Sequence, residues 1–198
     1  MKKIFAMILC LALLLSSAAL AETPEKESIG TVKVEEAFNI KCRLPEGYQI
    51  ETTEKGDEAH IVFSVRPDDA SKPRIVVIIA YNDEYTTFDE ETKEKKALRL
   101  NDLSDEAYET IKDSFVNESG MTEVTYDETE TAYGTKLLIV KSKWQDQELV
   151  TFYSIYKSYE VEVVAEPGEG ANGDLTDEQT QMIIDFLSDM DFEEIKAE

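Results

Sequence analysis

The residues that could carry out catalysis are few in this 198-residue chain, and histidine is the scarcest of them. His60 is the only histidine, so any Ser–His–Asp or Cys–His arrangement has to use it. No serine lies in a G-x-S-x-G pattern, because NESGM around Ser119 lacks the first glycine. His60 stands beside charged residues at the start of an expected strand, where a solvated histidine is typical. The sequence therefore predicts no histidine-dependent catalysis.

Carboxylates are plentiful and could bind calcium or act in pairs. The pairs Asp68–Asp69 and Asp83–Glu84, together with Asn172 and Asp174, could supply oxygen ligands for calcium. The last two lie in a segment without the residue order of an EF-hand loop, and a solvated loop that caps the next helix is the alternative. Two convergent acids could serve a hydrolase if a cleft held them. Zinc sites of histidine and cysteine are excluded by count, and no glycine pattern indicates a nucleotide, so we expect no cofactor.

Cys42 is the only cysteine outside the first 21 residues, which excludes an intramolecular disulfide once these residues are removed. Strand alternation places Cys42 on one face with Phe38, Ile40 and Leu44. On that face a free cysteine behaves as a small hydrophobic residue. A reactive or metal-binding thiol would need exposure and a basic neighbour on the same face. We therefore expect a buried thiol with a packing role.

Trp144, the single tryptophan, is the one candidate ligand-binding residue. It follows Leu138, Val140 and Ser142 on one strand face, next to a proposed turn at residues 145 and 146. The cover of the sheet should be thin there, so the indole is expected to be partly exposed. It either covers the end of the core or anchors a partner, since an exposed aromatic ring offers a large contact area at low entropic cost.

The first 21 residues, MKKIFAMILCLALLLSSAALA, are typical of a signal peptide. A positive start precedes the apolar run Ile4–Leu15, and Ala19–Ala21 fits the A-x-A cleavage pattern. The mature chain should therefore begin at Glu22 and be secreted or lie at the exterior of the cell envelope. The apolar run is shorter than the roughly 20 residues of a membrane span. Cys10 follows a leucine inside the run, which argues against a lipoprotein.

The composition is strongly acidic, with 43 acidic and 20 basic residues and a net charge of −23. Removing residues 1–21 takes away two lysines and no acids, which leaves −25. Such a negative charge repels the phosphate backbone of nucleic acids and anionic membranes, so the favoured partner is basic or cationic. The acidic residues also promote solubility, which is the alternative explanation for the charge. We expect a flexible leader at 22–31, one domain at 32–192 and a charged tail at 193–198.

Alternation and turn residues predict eight strands, in two groups of four. Arg74–Tyr81 is apolar on both faces, which indicates a central strand. In the last strand Glu160 and Glu162 alternate with valines, which is typical of an edge strand with one wet face. The eight strands are Phe38–Leu44, Tyr48–Thr53, His60–Arg66, Arg74–Tyr81, Thr122–Thr129, Thr135–Trp144, Glu148–Lys157 and Tyr159–Ala165.

Three helices are expected between and after these strands. The charged stretch DEETKEKKALRL, residues 89–100, is expected to be the first. The second begins after Ser104, which is a good N-cap, and ends near Gly120. The third follows a capping box from Thr176 to Gln179 and carries an apolar stripe. A two-residue turn at 145 and 146 would place Lys143 opposite Glu148 and Ile139 opposite Phe152.

These elements predict an α+β fold, in which a mostly antiparallel sheet of six to eight strands lies between helices. AFNIKCRLPEGYQIETTEKGDEAHIVFSV, with its turn Leu44–Tyr48, resembles the opening of the PsbP-like superfamily, which includes photosystem II extrinsic proteins, the nuclear-transport factor Mog and DcrB-type envelope proteins. Tyr48 stands where many relatives have tryptophan, and the strand and helix order matches over about residues 32–192. The resemblance implies the PsbP-like fold and a binding or accessory role, and it carries over no site residues.

Two functions remain open from the sequence. The first is an exported, non-catalytic binding or accessory domain that acts in the cell envelope or outside the cell, on a protein or small-molecule partner. The second is a carboxylate-based envelope or extracellular hydrolase. A cleft with two convergent acids would favour the hydrolase.

Overall fold

A seven-stranded antiparallel sheet forms the centre of the fold in the computed structural model, which describes residues 29–34, 38–55, 60–88, 92, 94–117, 120–145, 147–156, 158–169 and 174–194. The strands are β1 Ile29–Val34, β2 Phe38–Arg43, β3 Tyr48–Lys55, β4 His60–Pro67, β5 Arg74–Tyr81, β6 Thr86–Phe88, β7 Lys95–Ala97, β8 Thr122–Glu130, β9 Lys136–Trp144, β10 Gln147–Tyr156, β11 Tyr159–Glu166 and β12 Asp191–Glu194. The strands of the main sheet follow the order β3–β4–β5–β11–β10–β9–β8. In the described ranges β1, β2 and β12 form a second sheet, and β6 and β7 pair separately.

One α-helix packs on each face of the main sheet. On the first face, α2 (Asp177–Ser188) and β2 pack over the side chains of the central strands. On the opposite face, which we call the second face, α1 (Asp105–Asn117) packs over the β9 and β10 part of the sheet. The predicted α+β class with a mostly antiparallel sheet is therefore confirmed. No described helix has the length and hydrophobicity to cross a membrane.

Local sequence signals placed several of these elements correctly. β5 is the third of seven strands, and every residue from Ile75 to Ala80 is buried, as the apolar run predicted. Lys143 pairs with Glu148 across the β9–β10 hairpin. The Thr176 hydroxyl accepts a hydrogen bond from the backbone N–H of Gln179, so the capping box is formed. Each of these elements is specified by residues that are close together in the sequence, so the residue pattern is sufficient to predict it.

The prediction that the last strand lies at an edge is wrong. β11 is the fourth of seven strands and pairs with β5 on one side and β10 on the other. Glu162, expected on a wet face, has only 6% of its surface exposed. The alternation of glutamate and valine reflects two different faces, but both faces of this strand are covered.

The prediction of a helix at residues 89–100 is also wrong. β7 pairs antiparallel with β6, and a short 3₁₀ helix at Leu100–Asp102 follows it; residues 89–91 and 93 lie outside the described part. The charged stretch has no apolar stripe at helical spacing, so no face of a helix could pack on the sheet. Pairing with β6 gives its backbone groups partners instead.

The second sheet was not anticipated from the sequence. β2 pairs with β1 and with β12, which brings the two ends of the described chain together. β1 begins at Ile29, within the segment expected to be a leader, and β12 begins just before the expected tail. Residues 1–28, which include the expected signal peptide, and residues 195–198 lie outside the described part.

Candidate functional site

A cavity of about 480 Å³ lies between the C-terminal end of α2 and the first face of the main sheet. Its volume is in the range of small-molecule sites, roughly 300–1,000 Å³. Side chains from four regions form it: Arg99, the 131–135 loop, strands β9 to β11, and the last turn of α2 with the two residues after it. The apolar part of its wall consists of Leu137, Val161, Leu187 and Met190.

The polar groups in the cavity wall mostly bond to the protein itself. The Thr131 hydroxyl accepts a 3.1 Å hydrogen bond from the backbone N–H of Thr135. The Ser154 hydroxyl donates to the carbonyl of Lys136 at 2.9 Å, and that of Ser188 donates to a carbonyl of α2 at 2.7 Å. A hydroxyl engaged in this way is not poised as a nucleophile. The wall is suited to shape recognition more than to bond cleavage.

The charged groups of the cavity differ in whether they already form an ion pair with another group of the protein. Asp189, its one carboxylate among the described residues, lies 3.7 Å from the guanidinium of Arg43. The Arg99 guanidinium makes no ion pair within the described part of the chain, although the protein is rich in acids. Tyr133, with 75% of its surface exposed, completes the rim. Arg99 is therefore the group best placed to bind a charged atom of a ligand.

A second groove of about 570 Å³ lies on the other side of α2 and carries more acid. It is the place where a pair of hydrolytic carboxylates would have to be found. Asp185, one of its acids, accepts a 2.8 Å hydrogen bond from the side-chain amide of Gln181, in an exposed setting. The acidic residues that line this groove are Glu46, Glu178, Asp185 and Asp189.

Trp144 is half-buried at the end of β9, where it pairs with Gln147 across the hairpin. Its ring packs against a cluster on the second face of the sheet, and it does not line the cavity. The residue thus has the partial exposure that the sequence predicted. Its role as a binding residue stays a prediction.

Two of the calcium candidates, Asp174 and Asp69, accept hydrogen bonds from other groups of the protein. Asp174 accepts a 3.0 Å hydrogen bond from Lys141, while Asn172 lies outside the described residues. Asp69 accepts a hydrogen bond from the backbone N–H of Ser71, which lowers the pKa of the Asp69 carboxyl. In the described ranges no group of three or more His, Cys, Asp or Glu residues is arranged to hold a metal.

Cys42 and His60 are the two residues on which nucleophilic chemistry would depend. The structure describes the side-chain environment of Cys42 and not that of His60. Cys42 is buried with 1% of its surface exposed, and burial raises the pKa of its thiol to about 11. The predicted packing role of this cysteine is therefore confirmed. His60 begins β4 opposite Ala80, and the surroundings of its side chain lie outside what the structure describes.

Sequence reasoning missed a buried polar surface on the second face of the sheet. Burial, and to a lesser degree the charge of Glu160, raises the pKa of Glu162 to about 8. The Thr151 hydroxyl, on the adjacent strand, is fully buried and has no hydrogen-bond partner among the residues that the structure describes. We call this surface the Glu162 face; it consists of Val76, Ile78, Leu149, Thr151, Glu162 and Val164.

Neighbouring strands place these residues side by side. Thr151 pairs with Val164, Val164 with Val76, and Glu162 with Ile78, so all of them project from the same side. The only sequence signal was a glutamate between valines, which more often indicates a solvated strand face.

Comparison of the sequence with protein-family models and with curated proteins finds no match.

Proposed function

We propose that this chain is an exported, non-catalytic binding domain whose ligand site is the 480 Å³ cavity at the end of α2. The cavity itself is the observation that carries the proposal. Its apolar wall can take the body of a small molecule, and Arg99 at its rim can take a carboxylate. The net charge of the whole chain favours a cationic partner, but the local charge of Arg99 favours a small apolar or aromatic acid in this cavity.

Binding is favoured over hydrolysis because the cavity has one carboxylate in its described lining. Asp189 lies close to Arg43, and the serine and threonine hydroxyls bond to backbone groups. A carboxylate-based hydrolase needs a second acid across the reacting bond. The alternative hydrolase would have to use the exposed acids of the second groove, and no observation favours it.

The expected PsbP-like fold supports the same role. Tyr48, in the turn that carries the resemblance, is buried and donates a 2.9 Å hydrogen bond to the carbonyl of Pro73. Gly47 precedes it with a φ of +79°, which a glycine adopts without strain. The turn therefore has a structural purpose in this chain. The sheet between helices supports the resemblance, and an accessory or binding role follows from it as a proposal.

A pair of ligands that differ in charge tests the cavity. We would titrate the 22–198 chain with 3-phenylpropionate and with 3-phenylpropylamine and follow the methyl resonances of Leu137, Val161, Leu187 and Met190 by NMR. The carboxylate should shift these methyl signals and bind more tightly than the amine, because Arg99 lies at the rim and makes no ion pair within the described residues. Arg99→Gln should remove the difference between the two molecules.

A cavity-filling variant supplies the control. Leu187→Trp should weaken binding of the carboxylate at least tenfold by occupying the space between α2 and the sheet. Val116→Trp places the same side chain at an exposed position of α1, where Val116 is 50% exposed, and should leave binding unchanged. If neither molecule shifts the cavity methyls at millimolar concentration, the cavity is not a site for this ligand class.

A further inference from the structure

The second groove, on the other side of α2 from the cavity, has an apolar floor below its rim of carboxylates. Two of the apolar side chains are buried and two are half-buried, while all four acids of the rim are exposed. A ligand in this groove would therefore meet hydrocarbon in the middle and negative charge at the sides. The apolar residues of the floor are Leu44, Pro45, Met182 and Phe186.

The length of the groove follows from the helix that forms one of its walls. Its α2 residues recur at spacings of three and four from Glu178 to Asp189, so they lie on one side of the helix. Over that distance a helix advances about 17 Å, which equals about five residues of an extended peptide. The end of β2 and the turn after it, residues 43–46, form the opposite wall.

The rim has little positive charge to balance its acids. Arg43 is the one cation among the described residues that line the groove, and its guanidinium lies 3.7 Å from Asp189. Lys72 donates a hydrogen bond to the backbone carbonyl of Glu46, but its ion pair is with Asp68. The other three carboxylates of the rim make no ion pair within the described part of the chain.

Other surface acids of this chain do have cationic partners. Glu51 forms ion pairs with Arg66 and Arg74, and Glu128 is bracketed by two lysines. The chain has only 20 basic residues for 43 acidic ones, and the described ones pair mostly outside the second groove. A ligand that brings positive charge to this groove would therefore interact favourably with three uncompensated carboxylates at once.

The apolar floor narrows the choice of cation. A metal ion or a small hydrated amine offers no hydrocarbon to cover Met182 and Pro45. Nucleic acid and a second copy of this chain are both negatively charged, so the rim repels them. Lysine and arginine side chains combine an aliphatic stem, which packs on apolar surface, with a charged end that remains among polar groups. A peptide segment rich in these residues fits both parts of the groove.

We propose that the second groove is the docking site of an extended basic segment of a partner protein. The stems of its lysine or arginine side chains lie over Met182 and Pro45, and their charged ends pair with the carboxylates of the rim. The inference goes beyond the proposed small-molecule site, because Arg99 does not line this groove. The chain would then bind an acid on one side of α2 and a basic protein segment on the other.

A synthetic pentapeptide in which lysine alternates with leucine, with both ends blocked, tests the docking site. We would titrate the full 1–198 chain with it by calorimetry and follow the methionine methyl resonances by NMR. The signal of Met182 should shift, while that of Met121, which packs on the second face of the sheet, should not.

Two analogues of the peptide separate the contribution of charge from that of the stem. Acetylation of the lysines removes the charge and should weaken binding roughly tenfold or more. Replacement of lysine by 2,4-diaminobutyrate keeps the charge but shortens each stem by two methylene groups, and should weaken binding roughly threefold or more. An acetylated peptide that binds as tightly as the original would overturn the proposal.

The two α-helices offer matched variants of the protein. Glu178 and Asp185 are the second and ninth residues of α2. Glu106 and Asp113 are the second and ninth residues of α1, and they are exposed as well. Amidation of the α2 pair, to Gln and Asn, should weaken binding of the lysine peptide roughly tenfold, whereas the same change in α1 should alter it less than about twofold. Asp189 is left unchanged because it also lines the cavity.

Equal weakening by the two double variants would overturn the proposal, because the peptide would then respond to the net charge of the chain alone. So would a Met182 signal that does not move, or a lysine peptide that fails to bind at millimolar concentration. Circular dichroism establishes that each variant is folded before the titration. Arg99→Gln should leave peptide binding intact, so the cavity and the second groove are tested separately.

Discussion

The side-chain amide of Asn82 donates a 2.7 Å hydrogen bond to the carboxylate of Glu160. Glu160 therefore has a partner at the end of β11, while Glu162, two residues further along the same face, has none in the described part of the chain. Two acids of one strand face thus differ in their electrostatic environment. The negative charge fixed at Glu160 adds to the cost of ionising Glu162.

The first prediction concerns the pH dependence of stability in the full 1–198 chain. The pKa of Glu162 is about 8 in the folded protein against an ordinary value of 4.5. The folded state therefore binds more protons than the unfolded state between these pH values, and stability falls as the pH rises across this window. The slope from one such group is at most about 1.4 kcal/mol per pH unit. Urea unfolding at pH 5 to 8 measures it.

Glu162→Gln should flatten this slope and raise the free energy of unfolding at pH 8. Glu130→Gln, at an exposed position of β8, is the matched control and should leave the slope unchanged. A wild-type stability that rises steadily from pH 5 to 8 would show that Glu162 ionises without difficulty in the folded chain.

The second prediction concerns Cys42 in the 22–198 chain, where it is the single thiol. With a pKa of about 11, roughly a thousandth of the thiol is ionised at pH 8, and the side chain is buried. A thiol reagent should label it slowly in the native protein and rapidly in denaturant. Cys42→Ser should destabilise the fold by about 1–3 kcal/mol, because it buries a hydroxyl. Rapid labelling of the native chain would contradict the assignment.

The third prediction concerns the start of α2. Thr176→Ala removes the hydroxyl that accepts a hydrogen bond from Gln179, and should lower the free energy of unfolding by about 0.5–2 kcal/mol. Thr110→Ala removes a hydroxyl from the exposed side of α1, and should change stability by no more than about 0.5 kcal/mol. Equal effects of the two substitutions would mean that the cap contributes nothing measurable.

The fourth prediction concerns processing. Ala19 and Ala21 fit the small pockets of signal peptidase, so the exported product should begin at Glu22. Intact-mass measurement of the protein recovered outside the cytoplasm tests this. A mass that includes residues 1–21, or a lipid adduct on Cys10, would contradict it.

The elements predicted correctly are those whose signals are local. The capping box at Thr176 and the β9–β10 register follow from residues a few positions apart, which the chain order shows directly. The position of β11 could not be obtained in this way. Glu160 and Glu162 have the alternation of a wet edge, and only the pairing of β11 with β5, about 80 residues earlier in the chain, shows that the strand is central.

The candidate site was also beyond the reach of the sequence. Arg99, Tyr133, Ser154 and Met190 come from four separate elements, and no spacing rule connects them. The prediction of a helix at residues 89–100 was wrong for the same reason. A charged segment without an apolar stripe takes its structure from the strand it pairs with, and the spacing of its own residues does not show that pairing. Cys42 was placed correctly because a single strand's alternation was sufficient.

The outer strand β8 has features that disfavour pairing with a second copy of the chain. An edge strand offers unpaired backbone groups to any other strand, which makes it a template for aggregation. In β8 the register shifts between Thr122 and Thr125, and Glu123 has a φ of +53°, so the start of the strand is irregular. Asp127 and Glu130 are exposed further along. Two copies brought edge to edge at β8 would meet both a distorted backbone and like charges, so extension of the sheet through this edge is disfavoured.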